Sequence, residues 1–197
     1  MSIIVEHDKR RKEILEKALD VFMDEGFEDA TFQKIADRCG ITRTTLYLYF
    51  KNKKEIFNYS IKQLLVEVEQ DLQTIRGDGS LGAAKKINKV LGNVIDRLEV
   101  NRRLLSVISE YLFHLSKSNV DPEPRVRRRT MRLRHILASM VIEGVKSGEL
   151  APVNIKVADD LLYSFVESAI FRLVVLKRSA VSELKSAIAM TVKGMEK

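Results

Sequence analysis

Three prolines and nine glycines are all that interrupt 197 residues, and the runs between them repeat their apolar side chains at three- and four-residue spacing. Strands would need alternation and frequent turns, so this punctuation predicts an all-α chain of about nine helices. The first is expected from Asp8, as N-cap, to about Met23, with Ile14, Leu15, Ala18, Leu19 and Phe22 on one side and Gly26 as its stop. Two short helices follow at 31–38 and 42–49, each opened by a threonine and separated by Gly40. Longer ones are expected at 53–75, 81–99, 102–117, 125–147, 155–177 and 181–195, with GDGS (77–80), NVDPEP (119–124) and SGELAP (147–152) between them.

The short pair carries the most information. Ile35, Ile41 and Leu46 can close a miniature core, Ala36 permits close helix approach, and Gly40 suits the left-handed conformation of a tight turn. An ordinary helical hairpin also contains Ala-x-x-x-Gly, but the apolar positions, both threonine caps and the flanking charge together point to a helix-turn-helix. With Leu46 inward and about 100° per residue, Tyr49 and Phe50 also face inward. Thr44, Tyr47 and Leu48 face away, with Arg43 and Thr45 on the flanks. Arginine can read guanine, threonine can bond several base edges, and an apolar side chain can meet a thymine methyl.

Charge follows the motif. Residues 31–56 hold Lys34, Arg38, Arg43, Lys51, Lys53 and Lys54 against Asp37 and Glu55, a net +4. Residues 1–30 hold five basic and nine acidic side chains, a net −4. In TTLYLYFKNKKEIF (44–57), aromatics meet lysines because the edge of a core adjoins a phosphate-binding edge. Lys53, at the start of the next helix, is placed to hold a phosphate with the backbone amides there.

The stretch ALDVFMDEGFEDATFQKIADRCGITRTTLYLYFKNKKEIF (18–57) resembles the N-terminal signature of the TetR family of bacterial transcription regulators. The remainder matches that family in helix layout and length. The resemblance implies an N-terminal three-helix helix-turn-helix DNA-binding domain (1–52). A larger helical effector-binding and dimerisation domain (53–197) would follow. It implies backbone-phosphate contacts at Thr31, Thr42, Tyr49 and Lys53, and residues on or near the bases at Arg43, Thr44, Thr45 and Tyr47. With Lys34 and Leu48 these form the expected DNA surface. Thr44 and Leu48 depart from the residues common in the family, so operator sequence does not carry over.

The resemblance also implies a homodimer joined through the last two helices and an effector pocket in the second domain. Independently, the apolar residues of 155–177 cover more than one stripe, so two sides need burial. The expected seam is Leu162, Val166, Ile170, Leu173, Leu184, Ile188 and Val192. A central helix in a monomer's core remains an alternative. Tyr111, His114, Met131, His135, Phe165 and Phe171 are candidates for the pocket, each also readable as plain core. The run RVRRRTMRLR (125–134) brings six arginines against Glu123 within 122–134, a net +5. It is either a solvated face or, through Arg128 and Arg132, a holder of an anionic effector such as an acyl-CoA-like or phosphorylated metabolite.

The expected function is a ligand-responsive, sequence-specific regulator, a repressor bound as a dimer to an inverted-repeat operator on double-stranded DNA. The alternative is a helix-turn-helix protein acting through protein partners or non-specific DNA binding. The net charge of +7 fits an anionic partner. A lone cysteine, Cys39, excludes an internal disulfide, and no acid–base, nucleophile or metal spacing suggests an enzyme, a cofactor or a metal site. Without a signal-type or membrane-spanning apolar run, the chain is expected in the cytoplasm.

Overall fold

The computed structural model describes residues 2–121, 123–177 and 181–197, with the backbone alone for 2–5, 64, 67 and 123–129. The described residues form α1 (Ser2–Asp29), α2 (Phe32–Cys39), α3 (Arg43–Tyr47), α4 (Lys53–Gly77) and α5 (Ala83–Val100). They continue through α6 (Arg102–Lys117), α7 (Glu123–Ser147), α8 (Ile155–Val174) and α9 (Ser182–Met195). The only extended pairing among them is one bridge between Leu150 and Glu196.

Two expectations change. Asp8 is not a cap: nothing upstream breaks the helix, and α1 starts at Ser2. Gly26 does not end α1 but kinks it, at φ 78° and ψ 171°, a conformation that needs glycine, and the helix resumes to Asp29.

Packing divides the chain into two units. The first comprises 1–67 with 106–118, and the second 68–105 with 119–197. The dividing lines fall inside α4 and α6, whereas the sequence division at residue 52 follows the end of the motif.

The first unit is closed by rings. Phe22 and Phe27 each lie 4.9 Å from Phe57, and Tyr111 of α6 lies 4.4 Å from Phe27 and 5.2 Å from Phe57. Ala18, Ala30, Ile35, Ala36, Leu46 and Ile56 fill the space around them without exposed surface. The buried Ser60 hydroxyl donates to the Leu15 carbonyl at 3.0 Å, so it leaves no open polar group.

In the second unit α5 is central, packing on α7, α8 and α9 through Ile87, Val90, Leu91, Val94 and Ile95. Its N-terminus is capped from a distance. The Glu149 carboxylate accepts the amides of Ala83 at 2.6 Å and Ala84 at 3.0 Å, serving two donors that the helix cannot. The chain end ties in beside it: Ala151 N–H donates to Met195 O at 2.8 Å, and Lys197 N–H to Glu149 O at 3.2 Å.

The expected dimer seam lies inside this unit. Leu162, Val166, Leu173, Leu184, Ile188 and Val192 are buried in its core, and Ile170 is half-buried against it. The six buried side chains are taken up by the chain's own core, and Ile170 keeps part of its surface. The second stripe of α8 is the uncovered one: Val157 is 63% exposed, Phe171 53% and Val175 59%, with Leu161 and Leu176 also exposed.

Close approach at Gly144 yields a direct test. A Cβ there would sit 2.6 Å from the Leu150 side chain and 2.8 Å from Ala83 Cβ. Gly144→Ala is expected to destabilise by about 1–3 kcal/mol, the usual cost of overpacking, and to lower the urea midpoint. An unchanged midpoint would contradict the packing at this crossing.

Candidate nucleic-acid interface

The helix-turn-helix is built from local rules. Thr31 caps α2, its hydroxyl accepting the Lys34 amide at 3.2 Å. Gly40 ends it at φ 67° and ψ 34°, with Ile41 N–H reaching Ala36 O at 3.1 Å, a left-handed closure that a side chain would strain. Thr42 then caps α3 by accepting the Thr45 amide at 3.1 Å, and the two threonine hydroxyls lie 2.8 Å apart.

Within α3 only Leu46 is buried. The helix stops at Tyr47, earlier than its sequence suggests. The amides of Tyr49 and Phe50 both turn back to Leu46 O at 3.1 Å, which drives Phe50 into the core. The outward set is as expected: Arg43 and Thr44 are exposed, Tyr47 is 50% and Leu48 75% exposed, and Thr45 is half-buried on the flank. Tyr47 lies 4.5 Å from Phe32 of α2, centroid to centroid.

The cations divide into two groups. Lys34 pairs with Glu25 at 2.6 Å and Arg38 with Asp24 at 3.1 Å. The Lys53 ammonium donates to the carbonyls of Phe27 at 2.8 Å and Glu28 at 2.7 Å, and lies 4.8 Å from the Phe27 ring. These three hold the motif to the acidic end of α1, so Lys34 and Lys53 stand on the motif with part of their capacity already used. Arg43, Lys51 and Lys54 have no carboxylate partner among the described contacts. At the start of α4, Asn52 accepts the Glu55 amide at 2.9 Å and Glu55 accepts the Lys51 amide at 2.6 Å. This reciprocal cap was legible as Asn-x-x-Glu but was not among the sequence expectations. Nor was the stack of His7 on Tyr49, with centroids 4.7 Å apart.

The effector-pocket candidates are divided between the two units. Tyr111 belongs to the ring cluster of the first unit, and His114 is exposed there, 3.6 Å from Glu28. Met131, His135 and Phe171 are exposed in the second unit, and Phe165 is half-buried on its core. A cleft of about 120 Å³ in the first unit, beside the Gly26 kink, is lined by Glu25, Phe27, Glu28, Asp29, Glu110 and Tyr111. Its four carboxylates make it a poor host for an anion or an acyl chain. Of the two proposed anion holders, the side chain of Arg128 lies outside the described residues. Arg132 is paired with Glu69 of α4. Its neighbour Arg134 bonds Asp159 at 2.9 Å and also Asp160, which holds its pKa above the ordinary arginine value. Burial raises the Cys39 thiol above its usual pKa and so keeps it a poor nucleophile. No described helix is long and apolar enough to cross a membrane.

Comparison with known proteins adds to this geometry. Residues 14–59 match the model for bacterial regulatory proteins of the tetR family. The chain is 31% identical over 148 residues to the HTH-type transcriptional regulator YfiR of Bacillus subtilis, covering 75% of this chain and 71% of that one. It is 24% identical over 190 residues to the fatty acid metabolism regulator protein of Bacillus subtilis, covering 89% and 94%. Among solved structures it is similar to a TetR transcription regulator from Haloarcula marismortui, with a TM-score of 0.80, 17% identity and coverage of 96% and 97%. It is also similar to FadR from Bacillus subtilis in complex with stearoyl-CoA, with a TM-score of 0.75, 20% identity and coverage of 92% and 96%. The chain thus belongs to the TetR family and is a DNA-binding transcriptional regulator.

Proposed function

We propose that this regulator represses its target promoter as a homodimer on an inverted-repeat operator and is released by an acyl-CoA-like thioester. The observation that carries the DNA half is the construction of α3, which spends one residue on the core and presents Arg43, Thr44, Tyr47 and Leu48 outward. Two such readers in successive major grooves stand about 34–36 Å apart. Selection from random duplexes at near-physiological salt is expected to recover an inverted repeat with that spacing. Enrichment of no sequence, together with a steep salt slope, would favour non-specific binding instead.

The dimer rests on the uncovered stripe of α8. Val157, Leu161, Phe171 and Val175 recur on one side of the helix, and Met190 adds an exposed apolar side chain on α9. Exposed apolar side chains grouped on one side of a helix mark an interaction surface, here with Ser164 and Ser168 between Leu161 and Phe171. Leu161→Lys combined with Phe171→Lys is expected to give a folded monomer by light scattering and at least a tenfold loss of operator affinity, about 1.4 kcal/mol or more. A double variant that stays dimeric would rule out this face.

The effector class is supported by two relatives, one a fatty acid metabolism regulator and one solved with stearoyl-CoA. The arginine run on α7 supplies the matching charge for phosphates. Among the described contacts Arg132 is held by one pair, with Glu69, of a kind worth about 0.2–1 kcal/mol, so an anion can displace that carboxylate cheaply. Long-chain acyl-CoA is expected to release the protein from its operator, with Arg132→Ala raising the concentration needed about tenfold at unchanged operator affinity. Equal release of wild type and variant would remove Arg132 from the effector site. A complete lack of release would remove the thioester.

A further inference from the structure

The exposed face of α3 holds one side-chain pair that is organised before any DNA arrives. Arg43 lies one turn before Tyr47. Its guanidinium donates to the tyrosine hydroxyl oxygen at 3.2 Å and lies 5.7 Å from the ring centroid. The ring is itself seated on buried Phe32, with the planes 35° apart. A line of contacts therefore runs from the core of the motif through an aromatic ring to a charged fork. Lys34 and Arg38, by contrast, are drawn to carboxylates of α1 and away from the outward face of α3.

We propose that Arg43 is the base-reading arginine of α3 and that Tyr47 is a positioning residue that aims it at a guanine. The inference rests on the operator binding proposed above and assigns its chemistry to one pair. The bond to Tyr47 uses one of five guanidinium N–H donors, leaving enough for the two-pronged contact to guanine O6 and N7. An arginine on a free helix face must lose its rotamer freedom when it binds, whereas Arg43 has already lost part of it. Of the neighbouring hydroxyls, those of Thr42 and Thr45 are bonded to each other, and Thr42 is also engaged in capping.

The test compares wild type, Tyr47→Phe and Arg43→Lys in duplex selection, followed by competition with single-base-pair variants of the recovered operator. Wild type is expected to demand G·C at one position of each half-site. Arg43→Lys keeps the charge but not the fork, and is expected to lose that demand. Tyr47→Phe keeps the ring on Phe32 and loses only the hydroxyl. It is expected to weaken the preference at that position about two- to tenfold, with the other positions, the salt slope and the unfolding temperature unchanged. Full preference in Tyr47→Phe, or an equal loss at every position, overturns the positioning role. A guanine preference that survives Arg43→Lys overturns the reader. A wild-type chain that enriches no sequence overturns the operator binding on which both rest.

Discussion

The Lys53 ammonium on the carbonyls of Phe27 and Glu28 is the contact on which the reader depends. A helix end exposes carbonyls with no partner and carries partial negative charge, and a cation satisfies both needs at once. Here the cation comes from the first turn of α4, 26 residues on from Phe27. It closes a loop around α2 and α3, so the angle at which α3 is presented is set by a charge–dipole contact as well as by Leu46. Lys34 and Arg38 strengthen the same junction from α2. The kink at Gly26 belongs to this arrangement, because it sets the last turn of α1 apart from the helix behind it.

Because α4 starts at that junction, it carries the consequences onward. Residues 53–67 count with the first unit and 68–77 with the second, yet the helix is continuous. Within the second unit it is pinned twice, by Glu69 to Arg132 of α7 and by Asp71 to Arg97 of α5. Exposed pairs of this kind are each worth about 0.2–1 kcal/mol, so they support the position of α4 in that unit without fixing it.

Much of this was legible in the sequence where physics is local. Scarce breakers and helical spacing located the elements, the threonines their caps, and Gly40 the turn. The outward set of α3 followed from one anchor, Leu46. What failed was long-range. On α8 the periodicity showed two stripes, but Leu161 and Leu162 differ by a single 100° step. Nothing local says which of them meets the chain's own core. Tyr111 and His114 were grouped with later residues because they share a composition, yet residues 106–118 pack with the first unit. The charge contrast between 1–30 and 31–56 was real but had two causes. Half of the motif's six cations neutralise the end of α1, and the other half are left outward.

That division explains how so short a reader can work. A helix of five residues has no stability of its own, since the nucleation cost exceeds what its few hydrogen bonds return. α3 persists because Leu46 is buried, Thr42 caps it, and Phe50 anchors the turn that follows. None of these three is on the outward face. Arg43, Thr44 and Leu48 are thereby excused from holding the fold together, and their chemistry can be set by the DNA alone. Tyr47 is the exception, with one side of its ring on Phe32 and its hydroxyl on Arg43. It is the one outward position where a change of residue alters packing and recognition together.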